Sequence, residues 1–406
     1  MTTNARSVNS RNSIFERNPK ITILFVITFS VLILDVVLTN IFSLYPAVKH
    51  DEPNILTSQP ILGVKHEVYH HDLIKSGVIE TKYTRFPDRK IKLHTNSLGF
   101  KDKSSRTIPL LPSKKFKKRV VFIGDSFTEG VMLEYEDTFV GIVDKELNNK
   151  SIEVLNAGVN SYSPIIYWRK IKYLIEDVGL QFDELIVFPD VLDIFDERYR
   201  YRLSERGYVI DQENPYLDQH QKETQYGPVF LGRIKQIIHS NTTFTYQVLD
   251  FLHDKIIIKQ PKWPWEWWLG MKVSTANAWV FEKEINSDDE YAIHKMMKYM
   301  NKLLLLTRHN NIKLTVAVYP HPFQIWYEDL NSNYVKIWEE WSRSNHVKLI
   351  NFFPDLINYG LTKKDKTVVV KKYYFVNDVH FNKEGNKLIA KKLLEEYFSE
   401  RHFLKN

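Results

Sequence analysis

Two kinds of hydrophobic pattern alternate along the chain after residue 118. Short, nearly continuous apolar runs, which are typical of strands buried on both faces, fall at 119–124, 152–156, 183–188, 312–319 and 347–351. Stretches with the helical spacing of apolar positions fall near 138–149, 164–179, 289–309, 331–345 and 384–399. This alternation predicts an α/β fold, a three-layer α/β/α sandwich with a central parallel sheet and ligands at the carboxyl ends of the strands.

A different pattern occupies residues 21–45, which are apolar except for Asp35, Asn40 and several serine and threonine positions. It is long enough to cross the hydrocarbon core as one transmembrane helix. Basic residues outnumber acidic ones in 1–20, so this segment is expected to be cytoplasmic and the following domain periplasmic or extracellular. A cleaved signal peptide is the alternative, but no small-residue cleavage site follows. The pattern therefore favours a single-pass anchor in the cell membrane.

The remainder of the chain divides at residue 117. Residues 46–117 are rich in proline and are expected to form a mostly irregular connector that packs on a domain at 118–406. An insertion at about 194–288 interrupts the alternation within that domain. Its segment 262–268 holds four tryptophans. Core packing, stacking on sugar rings and contact with membrane headgroups are three explanations of such a cluster.

Composition excludes several classes of protein. The chain has no cysteine, so disulfides, thiolate catalysis and cysteine-ligated metals are excluded. The net charge of +7 is modest, and the basic run at 114–119 is typical of a solvated loop, because no nucleic-acid-binding motif accompanies it. No spacing such as H-E-x-x-H occurs, so no metal is expected. A cofactor and a nucleic-acid partner are not expected either.

A serine stands where the strand at 119–124 gives way to a helical pattern, in the sequence GDSFTEG of residues 124–130. Enzymes with α/β folds place nucleophiles at such turns. The unpaired N–H groups at the start of a helix would also stabilise charge on an ester oxygen beside Ser126. The alternative is that Asp125 or Ser126 is only an N-cap.

A base for this serine is available near the C-terminus, where Asp378 and His380 precede the last helix. A serine becomes a good nucleophile when an imidazole takes its proton, and a carboxylate fixes the tautomer of that imidazole. A capping loop with a solvated imidazole is the alternative. His321, which stands between two prolines, could line the cleft or be structural.

A glycine follows the second predicted strand, in the sequence LNAGVNSYSP of residues 155–164. If the first two strands are neighbours, the N–H of Gly158 would point toward Ser126 and donate to the same ester oxygen. A plain turn glycine is the alternative.

Together, the blocks at 124–130, 155–164 and 378–380 resemble the SGNH/GDSL hydrolase family, and the segment 96–100 is similar to the one before the serine block in its large bacterial members. The resemblance covers roughly residues 95–400. It implies a flavodoxin-like sheet of the SGNH hydrolase type. It also implies roles for four residues, with Ser126 as nucleophile, His380 as base, Asp378 as its partner and Gly158 as an oxyanion-hole donor.

Two features differ from the common pattern of the family. The family usually has an Asn-Asp pair after the third strand, and the Asn amide donates to the oxyanion, whereas Asp190 stands here. An ionised Asp190 would repel the oxyanion, and a protonated one, with its pKa raised by burial, would donate to it. Asn160 is the other candidate for the missing amide. The second difference is the spacing between acid and base. Asp378 stands two positions before His380, and this D-x-H arrangement resembles that of the membrane-anchored bacterial members.

The sequence therefore predicts a membrane-anchored serine ester hydrolase that forms an acyl-enzyme on Ser126. The expected substrate is an acyl ester, with an O-acetylated cell-surface carbohydrate as the implied example. Two alternatives stay open. One is an O-acyltransferase that modifies an extracytoplasmic polysaccharide. The other is a binding or assembly protein that has lost catalysis through Asp190.

Overall fold

The computed structural model describes residues 63–82, 90–212, 277–327, 329–362, 366–376 and 378–399, together with single positions between 18 and 37. The chain divides into two compact units, one formed by Met1–Asn54 and Pro215–Lys262 and the other by Ile55–Asn214 and Trp263–Asn406. All strands and helices named below belong to the second unit.

The predicted membrane segment lies mostly outside the described residues. The positions described between 20 and 37 are helical. Among the described positions, no helix is both long enough and apolar enough to cross a bilayer. The cytoplasmic segment 1–20 and the anchor at 21–45 stay predictions. The tryptophan-rich segment 262–268 and the greater part of the insertion also lie outside the described residues.

Strands occupy the region where a mostly irregular connector was expected. They are β1 (Gly63–His66), β2 (His70–Leu73), β3 (Val78–Lys82), β4 (Lys90–Thr95) and β5 (Lys101–Asp102). The first two form a hairpin, and the other three add antiparallel strands to one edge of the main sheet. In β4 the side chains of Ile91 and Leu93 are buried while Lys90 and Lys92 are exposed. The prediction of mostly irregular structure is therefore wrong for 63–82 and 90–102. The strands there are short and lie between prolines, so the sequence pattern did not reveal them.

Five parallel strands continue the same eight-stranded sheet. They are β6 (Lys118–Gly124), β7 (Ile152–Asn156), β8 (Glu184–Phe188) and, after the short hairpin of β9 (Tyr201–Leu203) and β10 (Val209–Asp211), β11 (Lys313–Val318) and β12 (Lys348–Asn351). Each parallel strand coincides with an apolar run of the sequence. The predicted α/β fold is confirmed, with a central sheet that is mostly parallel and has three antiparallel strands at one edge.

Helices connect the strands and follow the last of them. They are α1 (Ser126–Glu129), α2 (Phe139–Asn148), α3 (Pro164–Glu176), α4 (Asp193–Tyr199), α5 (Ser287–His309), α6 (Pro322–Trp326), α7 (Asn333–Ser344), α8 (Phe353–Leu361), α9 (Thr367–Tyr373) and α10 (Lys383–Lys392). Short 3₁₀ turns at Tyr135–Asp137 and Ala278–Phe281 and a π turn at Leu393–Tyr397 complete them. Helix α2 packs on α10, and α3 packs on α5.

The strand order places β7 on one side of β6 and β8, β11 and β12 on the other. The parallel strands are ordered β7-β6-β8-β11-β12, which is the flavodoxin-like order. The chain moves from β6 to β7 in one direction and from β7 to β8 in the other. Because such crossovers are right-handed, α2 and α3 cover opposite faces of the sheet. The direction changes between β6 and β8, and their carboxyl ends form the crevice in which such folds bind ligands.

The core follows from the composition of the central strands. Residues 119–124 of β6 and all of β7 and β8 are buried, as expected for strands covered on both faces. The rings of Phe122, Phe139 and Phe188 contact one another between the sheet and α2. Thr138 caps α2 by accepting a hydrogen bond from the Gly141 N–H at 3.0 Å. These contacts fix the strand ends that carry the candidate site.

Candidate active site

The predicted nucleophile lies at the carboxyl end of β6, in a tight strand-to-helix turn. The Asp125 carboxylate caps α1 by accepting a hydrogen bond from the Phe127 N–H at 3.0 Å. Gly130 ends this one-turn helix with a left-handed φ of 71°, a conformation that glycine adopts without strain. The turn leaves Ser126 7% exposed. The interpretation of Asp125 as an N-cap is confirmed, and the interpretation of Ser126 as a nucleophile stays a prediction.

A buried lysine holds the far end of this turn. Lys101 Nζ donates to the carbonyl oxygens of Gly130 and Leu133, both at 2.7 Å. Burial lowers the pKa of Lys101 to about 8. Two carbonyl acceptors satisfy the ammonium group in an interior where an unpaired charge would be costly. Lys101 therefore fixes the loop that follows Ser126, a role that nothing in the sequence indicated.

The structure brings Ser126, His380 and Asp378 together. His380 Nε2 lies 2.7 Å from Ser126 Oγ, and His380 Nδ1 lies 2.5 Å from Asp378 Oδ1. The same carboxylate oxygen accepts the backbone N–H of His380 at 2.9 Å. A carboxylate can only accept, so Nδ1 carries the proton and Nε2 is left to accept the serine hydroxyl proton. This is the tautomer that a general base for Ser126 requires.

Packing holds the imidazole in this position. The Phe127 ring lies 4.8 Å from the His380 ring, between centroids. The loop is closed by a bridge between Tyr374 and Phe381, on either side of the histidine. Asn386, in α10, accepts a hydrogen bond from the Phe139 N–H at 2.8 Å and so ties the last helix to α2. The histidine loop is thus fixed to the nucleophile side of the sheet.

Gly158 does not have the role expected of it. Its N–H donates to Asn156 Oδ1 at 3.1 Å and is therefore engaged within its own loop. The expectation that this N–H is presented to Ser126 is wrong for this structure, because the Asn156 side chain competes for it. A Cβ at Gly158 would lie 2.7 Å from Thr128 Cβ, so the glycine allows the loop to approach α1 closely.

Asn160 is held by its backbone, which leaves its side chain available. The Asn160 N–H donates to Glu129 Oε2 at 2.7 Å, and its carbonyl oxygen lies 2.8 Å from His71 Nε2. Burial raises the pKa of Glu129, while the nearby Lys101 acts in the opposite direction. Within the described part of the chain, the Asn160 amide makes no hydrogen bond. The Ser126 N–H likewise has no acceptor among the described residues. These two groups remain the candidate oxyanion donors.

Asp190 is a hydrogen-bond acceptor on both oxygens. Its Oδ2 accepts from His321 Nε2 at 2.6 Å and from the Tyr319 hydroxyl at 2.9 Å, and its Oδ1 accepts from the Leu192 N–H at 2.8 Å. Burial alone would raise the pKa of Asp190, but His321 and these hydrogen bonds outweigh it and hold the pKa below its usual value. The expectation of a carboxyl protonated by burial that donates to the oxyanion is therefore wrong.

The partners of Asp190 were not identified from the sequence. Tyr319 and His321 follow β11, and Asp190 follows β8, which pairs with β11. The available signal was that these residues follow predicted strands. To recognise them as partners of Asp190, one also has to know that β8 and β11 are neighbours in the sheet. As for metals, the described residues contain no group of three or more His, Cys, Asp or Glu side chains arranged to hold an ion.

Comparisons with known proteins give structural similarities only. No protein-family model and no curated protein matches the sequence. The chain is similar to the esterase EstA from Pseudoalteromonas sp., with 12% identity and a TM-score of 0.33 over 71% of this chain and 100% of that one. It is also similar to the acetyl xylan esterase AlAXEase, with 14% identity and a TM-score of 0.36 over 69% and 99% of the two chains.

A third similar structure is Axe2, an acetylxylan esterase from Geobacillus stearothermophilus. The identity is 11% and the TM-score 0.36, over 69% of this chain and 94% of that one. These identities and TM-scores are too low to support an argument about function.

Proposed function

We propose that this chain is a membrane-anchored serine hydrolase that cleaves an acyl ester through an acyl-enzyme on Ser126. The observation that carries the proposal is the hydrogen-bond chain from Ser126 Oγ through His380 to Asp378, with links of 2.7 and 2.5 Å. The first link joins residues 254 positions apart in the sequence. Local capping does not explain such a contact, whereas proton transfer from the serine does.

Acylation follows from this geometry. Ser126 Oγ attacks the carbonyl carbon of the ester as its proton passes to His380 Nε2, and the Asp378 carboxylate stabilises the resulting imidazolium. The ester oxygen becomes a tetrahedral oxyanion. We assign its stabilisation to the Ser126 N–H and the Asn160 amide, which are free of other described partners. Collapse of the intermediate breaks the ester bond, and His380 returns the proton to the departing alcohol.

Deacylation repeats these steps with a new acceptor. His380 takes a proton from water, the hydroxide attacks the acyl carbon, and Ser126 Oγ leaves as it recovers the proton from His380. The free acid is released. If a sugar hydroxyl replaces water, the same steps transfer the acyl group to a polysaccharide. Hydrolysis is the proposed reaction, because the site itself needs no second bound substrate for it.

We further propose that residues 21–45 anchor the protein in the cell membrane, with the catalytic domain on the outer side. The long and mostly apolar pattern supports the span, and the basic flank at 1–20 supports this orientation. Acyl esters of cell-surface carbohydrates, such as O-acetylated glycans, are the substrates such a tethered enzyme would meet. Digestion of intact cells with an external protease tests the orientation, since an outward domain is degraded and a cytoplasmic one is protected.

The esterase activity is tested with the full-length protein in detergent and p-nitrophenyl acetate as substrate. Ser126→Ala and His380→Ala are each expected to lower kcat/KM by a factor of about 10³ or more, because nucleophile and base act as one unit. Ser287→Ala and His309→Ala are matched controls at exposed positions of α5 and are expected to retain full activity.

Three results are possible with this set of variants. Loss of activity in the two site variants alone supports hydrolysis through Ser126. Ester cleavage that is fast only when a glycan acceptor is added, with the acyl group recovered on the sugar, supports the transferase. Wild-type turnover no faster than that of the site variants, with every protein folded by circular dichroism, contradicts the proposal and supports a binding protein.

A further inference from the structure

The loop after β7, which carries Asn160, is held by side chains from three other elements. The Asn160 N–H donates to Glu129 of α1 at 2.7 Å, and the Asn160 carbonyl oxygen lies 2.8 Å from Nε2 of His71 in β2. The next carbonyl oxygen, that of Ser161, accepts a hydrogen bond from the Tyr201 hydroxyl of β9 at 2.8 Å. Contacts on both sides of Asn160 therefore fix its backbone.

These contacts hold a backbone conformation that is uncommon for such residues. Ser161 has a left-handed φ of 63°, which a residue with a side chain seldom adopts. The Tyr162 hydroxyl, one residue further on, donates to the His71 carbonyl oxygen at 2.7 Å, and the two rings meet edge-on with their centroids 4.9 Å apart. His71 therefore contacts the loop through its backbone as well as its ring. We expect a change at His71 to release the turn that orients Asn160.

The partners of His71 determine which of its nitrogens carries a proton. The Asn160 carbonyl oxygen can only accept a hydrogen bond, so His71 Nε2 carries a proton. Burial lowers the pKa of His71 to about 4, although the bond to Asn160 acts in the opposite direction, so the ring is neutral at neutral pH. A neutral imidazole has one N–H group, and His71 Nδ1 is therefore an acceptor.

His70 supplies the donor for this acceptor. Its Nδ1 lies 2.7 Å from His71 Nδ1, and the two rings meet edge-on. Because His71 Nδ1 has a lone pair, His70 Nδ1 is the donor of this bond. On its outer side, His70 Nε2 lies 3.0 Å from the exposed carboxylate of Asp211, a contact that a second proton on His70 would complete. The tautomer of His71 does not require this outer bond, since an exposed carboxylate also has water as a partner.

We propose that His71 is a positioning residue for the reaction at Ser126, and that it holds Asn160 so that the side-chain amide donates to the oxyanion. His70 acts through His71, because its Nδ1–H keeps the proton of His71 on Nε2. The inference rests on the proposed function, in which the Asn160 amide is one of two oxyanion donors. It gives β2, which lies in the region expected to be a connector, a part in the active site.

A double-mutant cycle in the full-length protein tests this role with p-nitrophenyl acetate as substrate. Asn160→Ala is expected to lower kcat about 10²-fold, the effect of losing one oxyanion donor. His71→Leu removes the ring donor and is expected to lower kcat about tenfold with little change in KM, because a misplaced donor weakens only the transition state. In the Asn160→Ala background the same substitution is expected to lower kcat by less than about twofold, since its effect acts through Asn160.

Two further variants separate positioning from folding. His71→Gln keeps an N–H donor close to the position of Nε2 and is expected to retain kcat within about threefold of the wild type. His294→Leu, at an exposed position of α5, is the matched control and is expected to retain full activity. Thermal unfolding checks that each variant is folded. The inference is overturned if His71→Leu lowers kcat equally in both backgrounds, or if His71→Gln is as impaired as His71→Leu.

Solid-state NMR of the full-length protein in lipid bilayers tests the tautomer without requiring any enzymatic activity. The protein is labelled with ¹³C and ¹⁵N at histidine, and the signals of His71 are identified by their loss in His71→Gln. Correlating each ring nitrogen with its neighbouring carbons shows which nitrogen carries the proton. We expect a proton on Nε2 and none on Nδ1 at neutral pH. A proton on Nδ1, alone or together with one on Nε2, overturns the inference.

Ser126→Ala separates a failure of this inference from a failure of the proposed function. If Ser126→Ala abolishes ester cleavage while Asn160→Ala and His71→Leu leave kcat unchanged, the proposed function stands and the inference is refuted. If the wild type is no more active than Ser126→Ala, the proposed function is refuted and the inference fails with it.

Discussion

At the scale of single residues, the chemistry depends on which nitrogen of His380 carries a proton. Asp378 Oδ1 accepts both the ring Nδ1–H and the backbone N–H of His380. This double contact fixes the tautomer and the orientation of the ring with a single carboxylate. An aspartate two positions before the histidine is thus close enough to hold the ring, and the D-x-H spacing allows His380 to contact both Asp378 and Ser126.

The substitution Asp378→Asn tests this role. An asparagine amide can donate where the carboxylate accepts, so the ring can turn its unprotonated nitrogen to the amide and lose the ability to accept from Ser126. We expect kcat to fall by roughly 10³ to 10⁴ while the protein remains folded. Initial rates with p-nitrophenyl acetate, together with thermal unfolding, measure both effects. An activity within tenfold of the wild type would show that Asp378 does not orient the base.

The sequence indicated Ser126, His380 and Asp378 because each stands in a local motif beside a strand or helix end. It did not indicate the pair of His321 and Asp190, because that contact depends on β8 and β11 being neighbours in the sheet. It also assigned the Gly158 N–H to the nucleophile, whereas the Asn156 side chain takes it. Residues in motifs were predictable, and competition between hydrogen-bond partners in space was not.

At the scale of elements, the burial of a strand decided whether the sequence pattern could predict it. The five parallel strands are covered on both faces and so appear as continuous apolar runs. Strands β3 to β5 pair antiparallel at the edge of the sheet and have few buried positions each, as in the two-residue β5. Their polar, proline-flanked sequence resembles a connector. They pair with one another, and β5 joins them to the parallel strands through the pairing of Lys101 with Asn156 of β7, which no local pattern shows.

The loop after β7 packs closely against α1 at Gly158, so Gly158→Ala should disturb this contact. The new Cβ would lie 2.7 Å from Thr128 Cβ and Cγ2 and 3.0 Å from the Glu129 backbone nitrogen, so the nucleophile turn must shift. We expect a loss of about 1–3 kcal/mol in the free energy of unfolding and a larger effect on kcat than on KM. Denaturant unfolding and steady-state kinetics measure these effects.

Gly63→Ala is the matched control for this substitution, since no atom of the described residues lies within 4 Å of the Cβ it would add. It is expected to leave both stability and activity unchanged. A Gly158→Ala variant that behaves like this control would show that close packing of the loop on α1 is not required.

At the scale of the whole molecule, the order of the strands places the site. The order β7-β6-β8-β11-β12 reverses direction beside β6, and Ser126, Asp190 and Tyr319 follow three adjacent strands, β6, β8 and β11. His380 reaches the same edge because α10 packs on α2. Residues from four distant parts of the sequence thus meet at one crevice, as the predicted fold class requires.

The most direct test of the central claim, that His380 activates Ser126 as a nucleophile, is covalent labelling with a p-nitrophenyl alkylphosphonate followed by peptide mass spectrometry. Attack by Ser126 Oγ forms a bond to phosphorus and expels p-nitrophenolate, which leaves a stable adduct. We predict one adduct on the peptide that contains Ser126, none in Ser126→Ala, and labelling slowed by about 10³ or more in His380→Ala. Labelling on another residue, or at equal rates in the wild type and His380→Ala, would contradict the claim.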